Sequence, residues 1–130
     1  MSFETIWFIR AALVYFGTGI LMGITMALRP DWVYLLKPIH AHLNLLGFMA
    51  MFVYGIAYHV LPRFKGRPLF SQRMARCHLY LANVALVGMA VTMPFYTLWG
   101  ARGSYALAVF GVLQVVAAGL FITNLWKTLD

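Results

Sequence analysis

Two imidazoles and a carboxamide, on His40, His42 and Asn44, open a long apolar stretch of this chain. His59 lies towards the other end of the same stretch and His78 at the start of the next. Neutral imidazole is a ligand for iron, copper or zinc. Polar side chains at membrane depth are costly, which makes them functional candidates. Zinc wants four ligands, usually including cysteines, and the chain offers one cysteine, Cys77, and three acidic residues. Heme needs one or two axial ligands, an apolar slot and basic groups for its propionates. Isolated histidines among apolar residues and scattered arginines suit heme better than zinc. Copper handling fits less well, because no Met-x-x-Met or Cys-x-x-Cys cluster occurs.

The elements that must position these groups follow from composition. Of 130 residues 63% are hydrophobic and only 10% charged, far below the roughly 25% charged of a soluble globule. Four apolar stretches run roughly from Thr5 to Leu28, Ile39 to Leu61, Ala75 to Leu98 and Ser104 to Trp126. Each reaches the approximately 20 residues that a bilayer core requires, and none carries the polar stripe of a soluble bundle helix. The expectation is one all-α integral membrane domain over residues 1–130, its four transmembrane helices forming an antiparallel up-down-up-down bundle. The first stretch exceeds a signal-peptide core and is read as a retained helix.

The formal charge of +7 is explained by where the charges fall. Arg10, Arg63, Lys65, Arg67, Arg73, Arg76 and Lys127 lie on one side of the expected topology, and Arg29, Lys37 and Arg102 on the other. Seven against three puts both termini and the central loop in the cytoplasm of a bacterial inner membrane. No nucleic-acid partner is needed to account for the basicity; membrane lipid, with some attraction to anionic headgroups, is the expected surrounding. The expected connections are an outer loop from Arg29 to Pro38, an inner loop from Pro62 to Arg73 and an outer turn from Gly100 to Gly103. Gly19 and Gly23, Gly47 and Gly55, and Gly111 and Gly119 place small residues on one face of their helices for close packing. Pro94 is expected to kink the third helix, and Cys77 to be a packing residue.

The histidines fall on two levels, since the seventeen residues from His42 to His59 span about 25 Å of helix. His40 and His42 point about 200° apart on a helix. One should face the bundle and the other the interface, with Asn44 stacked on His40. His59 and His78, on adjacent helices, could face each other around a second heme, with Arg10, Arg63 or Arg76 near its propionates. Arg10 itself should pair with Glu4 or reach lipid phosphate. Met22, Met26, Met89 and Met93 run towards the His42 end, where one of them could complete an iron's coordination, although methionines mostly fill cores.

The run from His42 through Asn44 and Gly47 to Phe48, closed by Tyr58, His59, Pro62 and Arg63, resembles the second helix of subunit I in the heme-copper oxidase superfamily. The likeness is to its nitric oxide reductase and C-type oxidase branches. The pattern of His40, His42 and Asn44 also looks like small NnrS-like membrane proteins. The segment from Ala75 through His78 to Asn83, with Gly88 and Met89 after it, is similar to the third helix of these groups. The resemblance covers roughly residues 38–90. It implies that His42 ligates a low-spin heme b, and carries no catalytic role, because the helices that supply the superfamily's remaining ligands have no counterpart here. Enzymatic activity is therefore not expected. The expectation is a protein with one or two b-type hemes that transfers electrons or binds nitric oxide or oxygen near a respiratory chain, as a homo-oligomer or a subunit of a larger complex. The alternative is a cofactor-free structural or assembly subunit.

Overall fold

Ser2 starts the first helix by accepting the Thr5 backbone N–H on its hydroxyl at 3.3 Å, which satisfies one of the donors a helix leaves open at its first turn. The computed structural model describes all 130 residues apart from the side chain of Arg102; the charge assigned to that residue lies outside the described residues. Helix α1 runs Phe3–Leu28. A 3-10 turn, Pro30–Trp32, leads into α2, Val33–His42, which passes into a π-helical segment, Leu43–Ala50, and then α3, Met51–Lys65. Helix α4 is Gln72–Trp99 and α5 is Ala101–Leu129. The fold is all-α, with four helical spans long and apolar enough to cross a membrane: Phe3–Leu28, Pro30–Lys65, Gln72–Trp99 and Gly103–Leu129.

The connections are shorter than expected. The segment from Arg29 to Pro38, expected as an outer loop, is helical from Pro30 and carries Pro38 inside α2. Backbone at membrane depth has no water to pair with, so a helix that loses one N–H at a proline is still favoured over a loop that loses several. The central loop narrows to the stretch between Lys65 and Gln72. It is opened by Gly66 at φ 67°, whose N–H and that of Arg67 cover the carbonyls of Arg63 and Pro62, a left-handed helix stop that favours glycine. Gly100, at φ 56°, alone separates α4 from α5.

Neighbouring helices meet in opposite chain order. Phe70 and Ser71, at the start of α4, bond to Thr128 and Asn124 near the end of α5, while Phe95 near the end of α4 lies against Gly103 at the start of α5. Along α1 the second span packs Gly23 on His40, Tyr15 on Gly47 and Thr5 on Gly55. Helices α1 and α4 meet in the same order, Glu4 with Arg76 and Tyr15 with Asn83.

The glycine faces divide. A Cβ on Gly47 would lie 2.7 Å from Tyr15, and one on Gly19 would lie 2.8 Å from the Asn44 amide, so the first two spans do use small residues for close approach. Gly111 and Gly119 have open space around them. Gly88, under the Phe110 ring, makes the close α4–α5 contact instead. The exterior is apolar: Leu21 is 66% exposed and Val115 72%. Buried alanines at 12, 75 and 82 let the helices approach inside. Thr18, Thr25, Thr92, Thr97 and Thr128 donate their hydroxyls to the carbonyl four residues back, which keeps them satisfied without water.

Candidate functional site

The π segment begins where side chains compete with the backbone for carbonyls. His42 Nδ1 lies 2.8 Å from the Pro38 carbonyl, and the Asn44 amide donates to the His40 carbonyl at 2.8 Å. Both carbonyls are the ones four residues back that an α-helix would use, and occupying them favours a shift to the wider ladder. The Leu43 N–H is already shared between Ile39 and His40. Single π turns inside α-helices occur frequently at functional sites.

A carbonyl only accepts, so His42 donates from Nδ1 and a neutral ring keeps its lone pair on Nε2. His40 is held the same way across the helix interface, Nδ1 donating to the Gly19 carbonyl of α1 at 3.0 Å. The Asn44 nitrogen lies 3.4 Å and 3.3 Å from the two ring nitrogens of His40. The expected stacking of Asn44 with His40 is present, and with Nδ1 donating to Gly19 the amide can donate to the Nε2 lone pair. Tying Nδ1–H to a backbone carbonyl is how proteins orient histidines that ligate metal through Nε2. Met93 is buried in the core, with Met22 and Met89 packed against it.

At the other level His78 is fully buried. Its Nδ1 lies 3.0 Å from the Tyr58 hydroxyl, and its Nε2 is buried with no hydrogen-bond partner among the described residues. Ring centroids of Tyr54, Phe8, Phe121 and Tyr58 stand 4.6, 4.8, 5.5 and 5.8 Å from it. Side chains from α1, α3 and α5 thus close around one residue of α4. The residue facing His78 is Tyr58. His59, the next residue and about 100° around the helix, takes a 2.7 Å hydrogen bond on Nδ1 from Arg63, whose guanidinium also reaches the His59 carbonyl at 2.6 Å. Arginine cannot accept, so in this arrangement Nδ1 is the acceptor and a neutral His59 presents an Nε2–H.

Arg10 and Glu4 do not pair. Six residues place them about 240° apart around α1, and the buried Glu4 carboxylate accepts instead from Arg76 of α4 at 3.1 Å. Arg10 lies over the Trp7 ring at an apolar groove of about 550 Å³ between α1 and α4, floored by Tyr15 and Asn83, which share a 2.8 Å hydrogen bond. A second cavity, of about 400 Å³, lies at the basic end and is lined by His59, Arg63 and Arg67 among others. Cys77 is exposed rather than packed, because it sits one residue, about 100°, from the inward-facing His78. Among the described residues no group of three or more His, Cys, Asp or Glu gathers as a metal cluster would.

Sequence reasoning missed Tyr58, the Glu4–Arg76 pair and Asn124. Asn124 is fully buried and bonds both the N–H and the carbonyl of Ser71 at 2.9 Å. An asparagine inside an apolar span was a readable signal, whereas the phase that turns Tyr58 rather than His59 inwards was not. No protein-family model matches this chain, and no curated protein matches it.

Proposed function

We propose that this chain is a membrane protein that binds b-type heme with His42 Nε2 as axial ligand, serving electron transfer or the binding of nitric oxide or oxygen beside a bacterial respiratory chain. The observation that carries the reading is the 2.8 Å bond from His42 Nδ1 to the Pro38 carbonyl, which fixes the tautomer a ligand needs. The resemblance of the His42 to Phe48 run to the heme-binding helix of subunit I supports the same residue. Bound heme supplies an iron that changes oxidation state or takes a diatomic gas. The chain's own part is to hold the imidazole, through Pro38, and to anchor its helix against α1, through His40 and Gly19. Neither cavity is lined by His40 or His42, so His42 would hold the group with apolar surface supplied by a second copy of the chain or by another subunit. The proposed orientation puts both termini and the basic loop in the cytoplasm. His59 and His78 have no part in the proposal, since one accepts from arginine and the other is enclosed by rings.

The second reading is a cofactor-free structural or assembly subunit, favoured by the use of His40, His78 and Asn83 in bonds between helices. Absorbance spectra of detergent-purified protein from heme-replete cells, oxidised and then reduced, separate the two. A Soret band with b-type reduced bands, lost in His42→Ala, is the expected result. A shift on adding carbon monoxide would assign gas binding, and its absence electron transfer. Colourless protein would leave the structural reading.

A further inference from the structure

We infer that the cavity at the basic end of the bundle binds a phosphate group, presented by an anionic lipid headgroup or as free phosphate. Among the described residues its polar lining is Ser2, Thr5, His59, Arg63, Arg67 and Gln72, with no carboxylate. Arginine side chains only donate, and the bond from Arg63 makes His59 a donor at Nε2 as well. The nearest acid in α1, Glu4, is engaged by Arg76 and does not line the cavity. The two short bonds from Arg63 to His59 hold its guanidinium in place through a single nitrogen. Its remaining N–H groups stay available for the paired hydrogen bonds that arginine makes to phosphate. The side chain of Arg67 makes no hydrogen bond among the described residues, while its backbone N–H is pinned to the Pro62 carbonyl at 3.0 Å. Tyr58, Pro62 and Leu69 complete the wall.

A loop that is merely basic would attract anions through all its charges alike. A site would depend on Arg63 and Arg67 and not on Lys65 or Arg73, which belong to the same end of the molecule and do not line the cavity. The full chain is reconstituted in phosphatidylcholine nanodiscs. Phosphatidylglycerol retention is counted by native mass spectrometry, and inorganic phosphate binding is read from its phosphorus resonance linewidth. Arg63→Gln and Arg67→Gln should each weaken binding by about tenfold, and Lys65→Gln and Arg73→Gln by about twofold or less. Retention of the lipid alone would assign a headgroup held with its chains; binding of both would assign the phosphate group itself. If Arg63→Gln does not fold, Arg67→Gln carries the test, since its side chain makes no hydrogen bond among the described residues. Equal losses in all four variants, or no binding above the phosphatidylcholine background, would overturn the site.

Discussion

Replacing Tyr58 by Phe removes one oxygen from the middle of the bundle and leaves its ring in place among Phe8, Phe121 and His78. Among the described residues that oxygen is the only hydrogen-bond partner of the His78 ring, which is 0% exposed and has Nε2 unpaired. A hydrogen bond between membrane helices averages about 0.6 kcal/mol and reaches about 1.7. A buried polar group left without a partner costs about 1–3 kcal/mol. His78 is fully buried and no other side chain among the described residues bonds its ring, so the upper part of the first range applies, about 1.5 kcal/mol. The assay is reversible unfolding in mixed micelles as the dodecyl sulfate fraction rises, followed by loss of helical circular dichroism. His78→Leu on its own takes the imidazole partner from the tyrosine hydroxyl, and the double variant removes both sides of the bond. Its cost should therefore fall short of the sum of the two single costs by about 1 kcal/mol. A Tyr58→Phe effect below about 0.3 kcal/mol, or additive costs within about 0.5 kcal/mol, would refute the idea that this one bond holds the core histidine.

Two further expectations use the same unfolding assay, and a third uses proteolysis. Gly47→Ala pushes a methyl to 2.7 Å from the Tyr15 Cβ and Cγ and should cost about 1–3 kcal/mol, whereas Gly111→Ala enters open space and should be neutral or stabilise by up to about 1 kcal/mol. Arg76→Gln strands a carboxylate whose side chain is 3% exposed and should cost about 1–3 kcal/mol; Glu4→Gln leaves a guanidinium that is more than half exposed and should cost less. Asn124→Ala deletes both bonds to Ser71, so the basic loop should be cut faster by trypsin after Lys65 as stability falls; an unchanged cleavage rate would show that the loop does not depend on this latch.

The four spans were legible because a bilayer imposes length and apolarity on every crossing segment, and those survive without knowledge of neighbours. Their ends were not, because Pro38 and Pro62 read as loop markers and yet lie within α2 and α3. The two-level arrangement of the histidines followed from helix rise alone, as did the stacking of Asn44 on His40. Which side chain faced inwards did not: an unseen π segment separates His42 from Tyr58 and resets the rotation between them, so His78 meets Tyr58 rather than His59. Partners drawn from a distant helix, such as Arg76 for Glu4 or Ser71 for Asn124, depend on relative depth, which one sequence does not encode locally.

The π segment also sets where this chain can change length. A π turn holds about one residue more than an α turn through the same angle. Deleting one residue between Leu43 and Ala50 would let the ladder close as ordinary α-helix while the two flanks keep their mutual rotation. The same deletion between Met51 and Tyr58 would turn the histidine end by about 100° relative to the tyrosine end and separate Gly19 from His40 or His78 from Tyr58. Single-residue gaps among relatives of this chain should therefore collect in the first interval and be absent from the second.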